Sequence, residues 1–101
     1  MKSILEFVNQ KHITFPKDEH KTILKDLENK NYFYTIRVDK EYNKYHIGDI
    51  LNSDIGVKLK VVHVKNIKDI KEYQFYEYLT PNMIEYLTQF KKLNVIKLEK
   101  I

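Results

Sequence analysis

The chain has no cysteine, which excludes disulfides, thiolate metal sites and a cysteine nucleophile together. It has only two glycines, Gly48 and Gly56, and no glycine-rich phosphate loop, so the familiar nucleotide-binding motifs are missing. Alanine is absent and arginine occurs once, at Arg37, while lysine, isoleucine, asparagine and tyrosine abound. That pattern reads as coding bias toward A and T. The abundance of lysine is therefore discounted as a signal, and the single retained arginine carries more weight. No apolar run approaches the ~20 residues of a membrane span. Glu6 places an acid too early for a secretory signal, so a soluble, cytoplasmic protein is expected.

What remains suits one domain over residues 1–101. A hydrophobic content of 43% with 13% aromatics supports a modest core and excludes wholesale disorder. A net charge of +4 suits an anionic partner without requiring one.

Hydrophobic patterning gives the order β-α-β-β-β-α-α-β. Ile4, Leu5, Phe7 and Val8 fit either a helical turn or a strand, and His12 to Phe15 reads as a short strand. Pro16 followed by Asp18 and Glu19 opens a helix, whose stripe His20, Ile23, Leu24 and Leu27 runs on toward Lys30. Tyr32 to Val38 is a strand with Tyr32, Tyr34, Ile36 and Val38 on one face and Phe33, Thr35 and Arg37 on the other. In the strand Val57 to Lys65, alternation puts Val57, Leu59, Val61 and His63 on one side and Lys58, Lys60, Val62 and Val64 on the other. From Asn66 the pattern turns helical in two pieces divided by Thr80-Pro81. The stripes are Ile67, Ile70, Tyr73, Tyr76 and then Met83, Ile84, Leu87, Phe90. Leu93 to Ile101 closes the chain as a strand. Short connections favour antiparallel pairing and a small curled sheet or barrel with helices at its edge.

Few constellations carry chemistry. The histidines His12, His20, His46 and His63 form no i, i+2 or i, i+4 pair, so packing or surface roles are expected and no metal. Ser3 and Ser53 lack any nucleophile-elbow setting. Between Val57 and Lys71 five lysines face one acid, Asp69. Lys58 and Lys60 can track a phosphate backbone, or simply solvate a strand against edge pairing. Tyr42 and Tyr45, in a polar loop, can stack on bases; Tyr32, Tyr34, Tyr73, Tyr76 and Tyr86 lie on apolar stripes and are expected in the core. The strongest candidate is the face of Phe33, Thr35 and Arg37. A guanidinium fork recognises phosphate or carbonyl oxygens bidentately, and a hydroxyl two residues back shares its space. The alternative is an arginine held by a neighbouring acid.

The runs Asn31-Tyr32-Phe33-Tyr34-Thr35-Ile36-Arg37-Val38 and Tyr45-His46-Ile47-Gly48-Asp49-Ile50 resemble the ASCH domain of the PUA-like superfamily. Asp69-Ile70 resembles the opening of that family's later helix, and the resemblance covers about residues 11–101. It implies an α+β fold, a PUA-like β-barrel of about five to six mostly antiparallel strands with flanking helices. It also implies binding of RNA, a nucleotide or a modified nucleoside, without a cofactor, in a cleft holding Arg37, Thr35, Phe33 and Tyr45. Lys58 and Lys60 would supply electrostatic support. One branch of the family removes the acetyl group of N4-acetylcytidine with a lysine, a threonine and a glutamate. Here the threonine matches Thr35 and the glutamate either Glu72 or Glu77, but the lysine position is Tyr32. A phenol is a poorer base at neutral pH than a desolvated lysine, so binding rather than catalysis is expected. A small protein-interaction module of a phage or mobile element is the third reading.

Overall fold

A proline cannot donate a backbone hydrogen bond, and Pro16 marks where the chain leaves a strand and enters a helix. A computed structural model describes residues 11–101, so the apolar cluster around Ile4 to Val8 lies outside the described residues. Strand β1 (Lys11–Ile13) precedes Pro16, and helix α1 (Lys17–Lys30) follows it. The Pro16 carbonyl accepts from the Glu19 N–H at 2.9 Å, and Asp18 and Glu19 occupy the positive first turn. Asn31 ends the helix at φ 68°, donating its N–H to the Leu27 carbonyl at 2.9 Å. Asparagine tolerates this left-handed geometry, and the chain turns there directly into β2 (Tyr32–Val38). The buried stripe of α1 is narrower than its periodicity implies: Ile23 and Leu27 are buried, whereas Leu24 is exposed.

Strands β3 (Ile50–Ser53), β4 (Lys58–Ile67) and β5 (Leu93–Lys100) complete a mixed five-stranded sheet in the order β1-β3-β4-β5-β2. β1 runs parallel to β3; the other three pairings are antiparallel. The fold is thus a small α+β domain. Among the described residues the sheet is not closed, because β1 and β2 lie at its two ends and do not pair. Pro16, which has no N–H to donate to a ladder, follows soon after β1.

Each face of the sheet has its own core. On the α1 face, Ile13, Phe15, Ile23, Leu27, Phe33, Leu51, Leu59, Val61, Ile96 and Leu98 pack together. On the other face, Leu93, Val95, Ile67 and Ile70 pack with Leu87 of helix α2 (Pro81–Thr88). β5 is the strand both cores share, and Leu93 to Ile96 are all buried. The helix expected from Asn66 is not formed. β4 instead runs on to Ile67, and two 3-10 turns, Ile70–Glu72 and Tyr76–Tyr78, carry the chain to α2. Asp69 and Glu72 make a capping box, with the Glu72 carboxylate accepting from the N–H groups of Lys68 (2.9 Å) and Asp69 (3.0 Å). The stripe Ile67, Ile70, Tyr73 and Tyr76 still faces the sheet, so irregular turns satisfy the apolar spacing.

The regular alternation expected along β4 also fails at one place. The pairing with β5 shifts register between Val61 and His63, a bulge that leaves Val62 as the extra residue. Beyond it Val64 joins the α1-face core, and His63 moves to the side of Lys58 and Lys60. A second feature hidden from periodicity is Asn94, fully buried in β5. Its Oδ1 accepts from the Asn43 N–H at 2.6 Å and its Nδ2 donates to Asn66 Oδ1 at 2.5 Å. It pins the loop after β2 to the middle of the sheet. Asn94→Ala removes both hydrogen bonds of this buried side chain and is expected to lower stability by about 1–3 kcal/mol in urea denaturation, with an unchanged fold by circular dichroism.

Candidate functional site

Arg37 sits near the end of β2 on the α1 face and is 9% exposed. Its Nη2 donates to the Thr14 carbonyl at 2.9 Å, across the gap between β2 and the segment that follows β1. Its Nη1 donates to the Glu41 carboxylate, at 3.1 Å to Oε2. The guanidinium carbon lies 4.9 Å from the Phe15 ring centroid, and Phe15 meets Phe33 edge-on at 5.4 Å. The Tyr45 hydroxyl donates to Glu41 Oε2 at 2.9 Å. Burial, then the Glu41 carboxylate, pushes the Tyr45 phenol well above its ordinary value. Arg37, Glu41 and Tyr45 therefore form one network that ties the two ends of the open sheet together. Among the described residues, the Arg37 Nε is the buried side-chain polar atom left without a partner.

Beside this seam the edge of β2, which among the described residues pairs with β5 alone, forms the floor of an open groove of about 720 Å³. Residues Phe33 through Glu41 line it without interruption, as expected where a strand presents its unpaired backbone edge. Helix α1 contributes Asp18, Glu19, Thr22 and Asp26 to one wall; Leu79, Met83, Tyr86 and Leu87 form an apolar wall opposite. Five carboxylates (Asp18, Glu19, Asp26, Asp39 and Glu41) stand against two cations, Arg37 and Lys40. The groove is acidic, although the protein as a whole is basic. Burial, then the neighbouring Asp18, raises the Glu19 carboxyl above its ordinary value, against the opposing pull of Arg37 and His20.

Thr35 and Arg37 both line this groove, as the shared face of β2 implies. Phe33 also borders it, but its ring is 5% exposed and belongs to the core. Tyr45 corrects the expectation of a stacking residue: it is 2% exposed and its hydroxyl is engaged by Glu41, so no base can reach its ring. Glu72 lies on the other side of the sheet with its carboxylate in the capping box, and Glu77 is exposed in a 3-10 turn. Neither lines the groove with Thr35. Tyr32 occupies the opposite face of β2 from Thr35, so Tyr32, Thr35 and the two glutamates are not brought together. Lys58 and Lys60 are exposed on that opposite face. Tyr32, Tyr34 and Tyr73 are only partly buried and Tyr86 is 56% exposed, contrary to their expected place in the core. The turn Gly48-Asp49 is a structural clasp. Gly48 adopts φ 96° and donates to the Val61 carbonyl at 2.8 Å. Burial alone would raise the Asp49 carboxyl, but the Lys11 ammonium at 2.7 Å and the His46 N–H at 2.8 Å outweigh it and hold it low.

Among the described residues no three His, Asp or Glu side chains cluster as metal ligands, and no helix is long and apolar enough to cross a membrane. No protein-family model matches the sequence, and no curated protein matches it. The crystal structure of hypothetical protein PH0355 is similar over 91% of this chain and 99% of its own, with a TM-score of 0.64 and 15% identity. At that identity the likeness is one of fold alone.

Two outcomes are expected. Arg37→Met leaves the Thr14 carbonyl without its donor and the Glu41 carboxylate with the Tyr45 hydroxyl but no balancing cation, and lowers stability by about 2–3 kcal/mol. That is below the range for a wholly buried pair, because Glu41 keeps some access to water. Adding Glu41→Gln to Arg37→Met recovers part of the loss in the same urea titration. Glu19 behaves in the reverse sense. Its folded-state pKa is raised, so the ionised carboxylate destabilises the fold once pH passes that value, and below the ordinary carboxylate range the effect is nil. Glu19→Gln therefore melts above the parent protein at neutral pH, and the two curves converge in acid.

Proposed function

We propose that this chain is a PUA-like, nucleoside-recognising domain whose barrel is completed by the Arg37 seam rather than by a ladder. Its ligand lies along the free edge of β2. The observation that carries this reading is the groove itself. It has an unpaired strand edge that offers alternating donors and acceptors, an apolar wall from Leu79, Met83 and Leu87, and the Thr35 hydroxyl between them. A planar heterocycle with polar edges fits that chemistry. The resemblance of Asn31 to Val38 and Tyr45 to Ile50 to the ASCH domain supports the same assignment.

The charge of the groove refines the ligand. Arg37 is engaged by Glu41 and Thr14, so it offers no open fork for a phosphate. The five carboxylates around it repel one. A neutral nucleoside moiety, free or within RNA, is the occupant, and a free nucleotide is disfavoured. The amidohydrolase reading loses support on geometry as well as on Tyr32, because Glu72 and Thr35 lie on opposite faces.

Titration calorimetry with cytidine, N4-acetylcytidine and cytidine 5′-monophosphate tests this directly. The nucleosides are expected to bind, the monophosphate to bind about tenfold more weakly at low salt, and that gap to narrow as salt screens the carboxylates. Thr35→Val should weaken the nucleosides. Incubation with N4-acetylcytidine should release no cytidine by chromatography. Absence of any nucleoside binding would leave a protein-interaction module as the better account.

A further inference from the structure

The face of the sheet opposite α1 is covered by α2 and the 3-10 turns at one end only. At the other end the bulge in β4 has a consequence for charge. Without it, Lys58 and Lys60 would face away from His63 and Lys65; with it, all four lie on the same side, one row along a single strand. Lys97 sits opposite His63 on β5 and extends the row sideways. Alternate residues of a strand are spaced by about 6.6 Å, comparable with the phosphate repeat of an extended single strand. Two acids interrupt the surface. Glu99 lies opposite Lys60, and the Glu72 carboxylate is held by two backbone N–H groups. Five lysines, counting Lys30 beside Tyr32, outnumber them.

A line of aromatic rings borders this row. Tyr32 meets Tyr34 at 6.1 Å, Tyr34 meets Phe75 at 5.3 Å, and Phe75 meets Tyr73 at 5.7 Å and Tyr78 at 6.3 Å. Phe75 is 37% exposed and Tyr78 83% exposed, so both rings offer surface to a ligand. The Lys97 ammonium lies 4.3 Å from the Tyr32 centroid and 5.9 Å from that of Tyr34, between the two lines. Between them is a depression of about 420 Å³ whose wall holds Tyr34 and Tyr73, the cations Lys65 and Lys97, and both of these acids, Glu72 and Glu99.

We propose that this face is a track for single-stranded nucleic acid, with phosphates along Lys58, Lys60, His63, Lys65 and Lys97 and bases stacked on Tyr34, Phe75 and Tyr78. Parallel lines of cations and aromatic rings match a polymer whose charge and π-surfaces also run in parallel. An acidic peptide would use the cations but leave the rings without a matching repeat. The proposal deepens the nucleoside reading and rests on it in one respect. Tyr34 and Tyr73 border both the depression and the groove, so a strand on the track can turn one base over the edge of β2 into the groove. The two sites then divide the ligand by charge, phosphates on the basic face and a neutral base in the acidic groove.

The test uses fluorescence anisotropy with a labelled single-stranded oligouridylate, alongside calorimetry with uridine. Lys65→Gln with Lys97→Gln should weaken the oligonucleotide at least tenfold and lower the salt slope by about 1.4, or 0.7 for each phosphate no longer neutralised. Tyr78→Ala, at an exposed position, should weaken it at least about fivefold without changing the salt slope. Lys21→Gln with Lys25→Gln, on the exposed side of α1, removes the same charge and should leave affinity within about twofold. Uridine binding should be the same in all these proteins. The proposal is overturned if the α1 pair matters as much as Lys65 and Lys97, if a duplex of equal length binds as tightly, or if polyglutamate displaces the oligonucleotide at equal charge. A protein that binds uridine but gains nothing from the polymer also overturns it while sparing the groove. A protein that binds the oligonucleotide with these dependences but not uridine upholds the track and overturns the groove reading instead.

Discussion

An arginine that donates across a gap no hydrogen-bonded ladder spans is the constraint on which this fold depends. The sheet runs from β1 to β2 through three intervening strands, and its two ends approach each other without pairing. Arg37 reaches the Thr14 carbonyl from one end while its charge is balanced by Glu41, which is in turn held by Tyr45. Lysine cannot replace this. One ammonium lacks the planar fork needed to serve a carbonyl and a carboxylate in different directions while lying over the Phe15 ring. In a chain that otherwise uses lysine throughout, that geometric demand accounts for the single arginine.

Closing the seam through side chains leaves the β2 edge unpaired among the described residues, and that has two effects. An open edge is an aggregation hazard, which is limited here by the flanking helices and by charges at Arg37, Asp39 and Lys40. The same edge keeps its backbone donors and acceptors available along the groove. A full ladder between β1 and β2 would have consumed them. The site and the incompleteness of the sheet thus have one cause.

Local chemistry made much of this legible in the sequence. The start of α1 after Pro16, its run toward Lys30 and the two faces of β2 follow from residue types at short spacing. Thr35 and Arg37 share one face because a strand alternates, whereas the groove takes in both faces of β2 from Phe33 onward. Non-local effects were not legible. The stripe from Ile67 to Tyr76 has helical spacing, yet β4 runs on to Ile67 and the rest is taken up by two 3-10 turns whose apolar side chains pack against the sheet. Tyr45 does lie in a loop, but its burial comes from residues distant in sequence, Ile13, Leu51 and Leu27 among them, that share its core. The sign of the groove was hidden for the same reason: Asp18, Glu19 and Asp26 come from α1, whereas Asp39 and Glu41 follow β2.

The bulge at Val62 shows how one inserted residue can redistribute function without altering composition. Reading β4 as a uniform strand separates Lys58 and Lys60 from His63 and Lys65, and gives two diluted faces. A single register shift places all four on one side and returns Val64 to the core, so the apolar requirement and the charge requirement are met by the same distortion. A perfectly alternating β4 would force a choice between burying a charged side chain and exposing a valine. The sheet therefore separates its charges by face. Acids from α1 and the turn after β2 gather on one side of the β2 edge, and lysines from β4 and β5 gather on the other. Tyr34 and Tyr73 stand at the boundary, where burial, then the Tyr34 phenol beside it, keeps Tyr73 neutral beyond the ordinary phenol range.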